Sequence, residues 1–168
     1  MSFTNKIDEW MKEAEERPES AVTIVRLIAR RLRELTERKS RFTLLGKVSR
    51  RTARAVRRQV CKLLLPVKDK VHTLTSDHGK EFADHELIAE TLQLKFYFAH
   101  PYTAWEPSTN ENTKGLLRQY FPKKCDFQSV SDKMMRQAVS KLNFRPPKTL
   151  RFKTPFEVFY NTTVALTS

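Results

Sequence analysis

The sequence has only three glycines and two cysteines among 168 residues. So few glycines exclude a Gly-rich phosphate loop. Cys61 and Cys125 lie far apart and share no ligand spacing. That argues against a disulfide scaffold and a zinc site, and it fits a reducing cytosol, so a cytoplasmic location is expected. No apolar run approaches the ~18 residues that span a bilayer, and no membrane partner is expected. Residues 1–17 are acidic and amphipathic, without the basic start and apolar centre of a secretory signal. The four histidines are scattered, and neither Ser76 nor Ser108 has the His and Asp partners of a hydrolase triad. Aspartate is also scarce, with none between Asp8 and Asp69.

Positive charge is abundant. The net charge is +13, and it is unevenly placed. Residues 26–70 carry sixteen Lys or Arg against three acids, a net of +13, while residues 1–20 are net acidic. A basic block this dense suggests a polyanionic partner, because neutralised phosphates release counterions and drive binding. A solvated basic surface is the alternative.

Hydrophobic residues make up 39% of the chain, enough for one modest core in a chain of single-domain size. Residues 5–17 read as an exposed helix interrupted by Pro18. Val22, Val25, Leu32 and Leu35 are roughly helically spaced, which predicts a helix from Ala21 to Arg38. Residues 40–48 read as a strand around Phe42, Leu44 and Leu45. Thr52 to Leu65 reads as a helix with Val56 and Val60 in its apolar stripe, Arg54, Arg57 and Arg58 on its outer face, and Pro66 at its end. A strand from Val71 to Ser76, a helix within 80–92 and a strand from Lys95 to Ala99 follow. After a loop come a helix from Asn110 to Tyr120, another from Ser131 to Leu142, and a last one opened by a Thr154–Glu157 capping box with Pro155 in its first turn. Alternating strands and helices argue for an α/β layer with parallel pairing, whose sites form at the carboxyl ends of strands.

Asp77 stands at such an end, and Glu111 stands in the expected first turn of a later helix. Carboxylates so placed can converge across a strand–helix–strand crossover and bind magnesium. Lys114 and Arg118 share the helical face of Glu111, where a cation suits a phosphate. On spacing alone, the commoner reading is an N-terminal Glu favoured by the helix dipole and an Asp in a turn.

The wording of the chain changes that weighting. The run from Thr73 to Phe82 (TLTSDHGKEF) resembles the strand that carries the second Asp of the IS30 family of insertion-sequence transposases. Residues 100–122 resemble that family's segment around its final Glu. Residues 142–150 (LNFRPPKTL) and 153–159 (KTPFEVF) resemble its C-terminal signature, and residues 37–42 (ERKSRF) its early strand. The resemblance implies an α/β, ribonuclease-H-like integrase core with flanking helices, incomplete at its N-terminal strand. It implies a divergent helical and basic arm over 1–34, a core fragment over 35–160 and a tail over 161–168, with no counterpart of the family's N-terminal helix-turn-helix region.

By the same resemblance, Asp77 and Glu111 are the catalytic, metal-holding acids of a two-metal site for Mg2+ or Mn2+. Arg54, Arg57, Arg58, Lys114 and Arg118 are the expected DNA-binding residues. The implied activity is metal-dependent phosphodiester cleavage and strand transfer on transposon ends and target DNA, by a homo-oligomer or together with full-length transposase. His78 stands where the family usually has Asn. Counting back from Glu37 puts the family's first Asp at Ala21, so the metal site is expected to be impaired. The alternative is a catalytically dead DNA-binding remnant or an interfering subunit. A second alternative concerns Val22 to Val25, whose β-branched side chains suit a replacement for the missing strand.

Overall fold

The computed structural model describes residues 22–29, 32–99, 107–122 and 125–163. Three strands come first: β1 (Val22–Ala29), β2 (Leu32–Glu37) and β3 (Thr43–Lys47). Helix α1 (Ala53–Leu64), β4 (Thr73–Ser76), α2 (His85–Leu92) and β5 (Lys95–Phe98) follow. Helices α3 (Pro107–Tyr120), α4 (Asp132–Asn143) and α5 (Pro155–Tyr160) complete the order. The five strands form one sheet in the order β3-β2-β1-β4-β5. The β1–β2 and β2–β3 pairs are antiparallel, and the β1–β4 and β4–β5 pairs are parallel.

The helix expected from Ala21 to Arg38 is therefore two strands. The sheet is not short of its N-terminal strand, because β1 lies at its centre. In the β-branched run, Val22 pairs with β4, and Thr23, Ile24 and Val25 are paired on both sides, with Ile24 opposite Thr36 on β2 and Thr75 on β4. Ladder hydrogen bonds on two edges outweigh a weak helical spacing. The exposed helix expected at 5–17 lies outside the described residues.

Two apolar layers cover the sheet. On one face Leu35 and Leu74 pack with Val56, Val60 and Leu64 of α1 and with Ile88 and Leu92 of α2. Full burial of each such side chain stabilises by about 1.5–3 kcal/mol. The sequence stripe of α1 is the buried stripe, and Thr52 caps the helix by accepting from the Ala55 N–H at 3.3 Å. On the other face Leu45 packs with Leu117 and Phe121 of α3 and its following turn, and with Met135, Ala138 and Leu142 of α4.

Asn143, at the end of α4, fastens that layer. Its amide accepts from the Thr43 N–H at 2.8 Å and donates to the Thr43 carbonyl at 2.8 Å. The capping box of α5 forms as read from sequence, and Phe159 stacks on Phe42 at 4.3 Å. Helix α3 begins at Pro107, three residues before the expected start, so Glu111 falls in the second turn rather than the first. Proline suits a first helical position because that N–H has no intrahelical partner.

Candidate functional site

Asp77 follows β4 directly and is exposed. Leu74 faces the α1–α2 layer, and strand alternation puts Thr73, Thr75 and then Asp77 on the opposite face, toward α3 and α4. The next residue obeys the same alternation: His78 stacks on Phe98 of β5 at 4.8 Å, on the α2 side. Asp77 thus stands at the carboxyl end of a central parallel strand, where α/β sheets build sites. Glu111 lies on α3, the helix over the same sheet face, and is placed there by its backbone. Among the described residues, no cluster of three His, Cys, Asp or Glu is arranged to hold a metal ion.

The segment after Asp77 is held from below. Glu81 is buried, and Arg51 donates to both of its carboxylate oxygens at 3.1 and 3.3 Å. Arg33 of β2 approaches the same carboxylate at 4.0 Å. Burial alone would raise the Glu81 pKa. Its own backbone N–H and the two arginines outweigh that, and the carboxyl ends below its ordinary range. Gly79 is needed for this packing, since a Cβ there would lie 2.6 Å from the Glu81 carboxylate. Glu81 was not singled out from sequence, although it stands in the same run as Asp77.

Arg26 escaped the sequence reading as well. The parallel register pairs Val25 with Ser76, so the next level sets Arg26 beside Asp77. On its other side Arg26 pairs with Glu34 of β2. Acid, base and acid therefore cross three neighbouring strands at one level. Ala21, the position counted back from Glu37, precedes β1. Five residues of extended chain, about 16 Å, separate position 21 from position 26.

The expected DNA-binding residues fall into two groups. Arg54 and Arg58 are exposed on α1, and Arg57 pairs with Asp84 at 3.3 Å. Lys114 and the exposed Arg118 belong to α3, on the other side of the sheet. The five do not form one patch. Among the described residues, one cavity of about 690 Å³ runs along β3 between α1 and α4, and no residue of β4 or α3 lines it. Another, about 500 Å³, lies between the start of β3, α3 and the connector after α4. No helix among the described residues is long and apolar enough to cross a membrane.

No protein-family profile matches the chain. Curated relatives do. The transposase of insertion sequence IS4351 from Bacteroides fragilis is 45% identical over 125 residues, which is 74% of this chain and 38% of that protein. Transposase InsI of IS30A from Escherichia coli K12 is 37% identical over 125 residues, 74% of this chain and 33% of that protein. The chain thus spans little more than a third of the length of these relatives. Among solved structures, the catalytic core domain of BIV integrase superposes with a TM-score of 0.64 at 20% identity, covering 84% of this chain and 95% of that one. A chain of the simian T-cell lymphotropic virus intasome, solved with the PP2A regulatory subunit B56 gamma, gives 0.67 at 15% identity, covering 90% and 57%. The likeness to these two shows the fold: an integrase-type, ribonuclease-H-like core.

Proposed function

The chain belongs, over the 125 residues that match, to the IS30 family of insertion-sequence transposases, and on that premise we propose that it is a DNA-binding transposase core whose metal chemistry is disabled. One observation carries the second half of this reading. The β1–β4 ladder ends with Val25 beside Ser76, and the residues that follow on the two chains are Arg26 and Asp77.

Two carboxylates share a cation only when a few ångströms apart. Neighbouring strands, about 4.8 Å apart, provide that distance between residues at one level. A divalent ion at such a site activates the attacking oxygen of a phosphodiester exchange and stabilises the leaving one. Two observations support the reading of an impaired site: an arginine, not an acid, follows Val25 on the strand beside β4, and no group of three His, Cys, Asp or Glu among the described residues is arranged to hold a metal ion.

DNA binding does not need the metal. Exposed Arg54, Arg58 and Arg118 can neutralise phosphates, which position a duplex without reading its sequence. A chain that binds transposon DNA without cutting it would compete with, or join, full-length transposase.

The test is nicking of supercoiled DNA in Mg2+ or Mn2+. The unaltered chain is expected to bind DNA in a salt-sensitive way and leave it intact. Arg26→Asp is expected to gain metal-dependent nicking, lost again in Arg26→Asp/Asp77→Asn, whereas Ala21→Asp stays inactive. Nicking by the unaltered chain that disappears in Asp77→Asn and in Glu111→Gln would overturn the reading.

A further inference from the structure

The connector from Leu142 to Leu150 has a conspicuous sequence that the Asp77 site does not use. It builds one wall of the cavity of about 500 Å³. Three cationic residues line that cavity: Arg41 from the turn before β3, and Arg145 and Lys148 from the connector. Thr43, Thr113 and Thr149 add hydroxyl groups, and no Asp or Glu lines it among the described residues. Among the described residues none of the three cations makes an ion pair. We propose that this cavity seats a phosphodiester of the DNA backbone, a contact separate from the arginines of α1. The inference rests on the DNA-binding reading above and extends it to a specific place.

The walls are held in shape before any ligand arrives. Asn143 ties the start of the connector to both backbone groups of Thr43. Pro146 and Pro147 stiffen the next step. The turn then closes on itself, with the Phe152 N–H donating to the Pro147 carbonyl at 3.2 Å and the Lys153 N–H to the Leu150 carbonyl at 3.0 Å. Arg41 is fixed from the other side, where its N–H donates to the Glu37 carbonyl at 2.8 Å. The Glu37 carboxylate accepts from the Lys39 and Ser40 N–H groups in the same turn. A backbone already held in place beneath the three cations reduces the freedom lost on binding.

The shape favours a nucleic acid over a small free anion. A cavity of this size exceeds one phosphate group, and Phe152 stands at its rim with 68% of its surface exposed. Phe152 and Arg151 both have left-handed backbones, φ 63° and 52°. That conformation is uncommon for a bulky side chain, and here it accompanies an aromatic ring turned out to solvent. An exposed ring beside cations is the pattern by which proteins stack sugars and bases while holding the backbone.

Thr113 lies two residues after Glu111 on α3, and Thr43 shares its sheet face with Asp77. Three strand spacings, about 14 Å, separate β3 from β4. A backbone crossing this face reaches both the cavity and Asp77.

The experiment is fluorescence anisotropy of a short labelled duplex across a salt series. The unaltered chain is compared with Arg145→Gln/Lys148→Gln and with a control, Lys68→Gln/Lys133→Gln. All four positions are exposed, so the folds should match by melting temperature. Each lost phosphate contact lowers the slope of log K against log salt by about 0.9. The cavity pair is expected to lower the slope by about 2, and the control pair by well under 1. Equal changes in the two pairs, or an unchanged slope in the cavity pair while the unaltered chain binds DNA, would overturn the cavity. Failure of the unaltered chain to bind DNA at low salt would instead remove the DNA-binding reading itself.

Discussion

The guanidinium of Arg33 lies 4.0 Å from the carboxylate of Glu81, and Arg33 has no accessible surface. None of its three nitrogens has a hydrogen-bond partner. Burial pushes its pKa down; Glu81 opposes that shift, Arg51 adds to it and Asp77 opposes it. A wholly buried ion without hydrogen bonds among the described residues is a cost to the fold.

Replacing Arg33 with Leu is therefore expected to stabilise the protein by about 1–3 kcal/mol. Glu81 keeps its two bonds from Arg51, so no carboxylate is left alone. A higher urea midpoint at unchanged slope is the expected result. A fall in the midpoint would mean that Arg33 helps to hold the sheet.

Glu81→Gln is expected to act in the opposite direction, by about 2–4 kcal/mol, because it deprives buried Arg33 of its ion-pair partner. The effect should depend on pH. The folded carboxyl titrates below its ordinary value despite burial, owing to its backbone N–H and the two arginines. Its contribution is full above the unfolded value of about 4.3 and is lost as pH falls through the folded value. Unfolding curves of the two proteins should stay apart at neutral pH and draw together in acid. A pH-independent gap would indicate loss of shape rather than of charge.

Asn143→Ala removes both side-chain bonds to Thr43 and leaves a buried N–H and C=O without that partner. A loss of about 2–3 kcal/mol is expected. Amide exchange at Thr43 should accelerate more than exchange in β4. Equal acceleration throughout would show that the pair does not act locally.

The two thiols should differ in reactivity. Burial pushes the Cys61 thiol up against the opposing influence of Arg57 and Thr91, whereas Cys125 is only partly covered. A thiol reagent at mildly alkaline pH should label Cys125 in the native protein and Cys61 only after unfolding. Fast native labelling of Cys61 would mean that α1 opens readily.

Much of the architecture was legible in local patterns. The stripe of α1, the strand before Asp77, the capping box of Thr154 and Glu157, and the helix over residues 132–143 all rest on spacing or capping within a few residues. The stretch from Ala21 to Arg38 was misread because its alternation is disguised. On β2 the residues facing the α1 layer include Arg33 beside Leu35, so polarity does not mark the buried face. Counting along the chain likewise led to Ala21 for the first acid. Only the pairing of β1 with β4 reveals that Arg26 stands level with Asp77.

The sequence by itself determined which short segments become helices or strands, the dense basic charge, and the transposase kinship of residues in the core. These are local or compositional properties, set by side-chain spacing and by charge. Tertiary structure decided which residues from distant segments are neighbours. It put Arg26 beside Asp77, buried Arg33 against Glu81, and closed the connector over Arg41. The reason is that strand register and layer packing are chosen by contacts between segments tens of residues apart, which no local pattern contains.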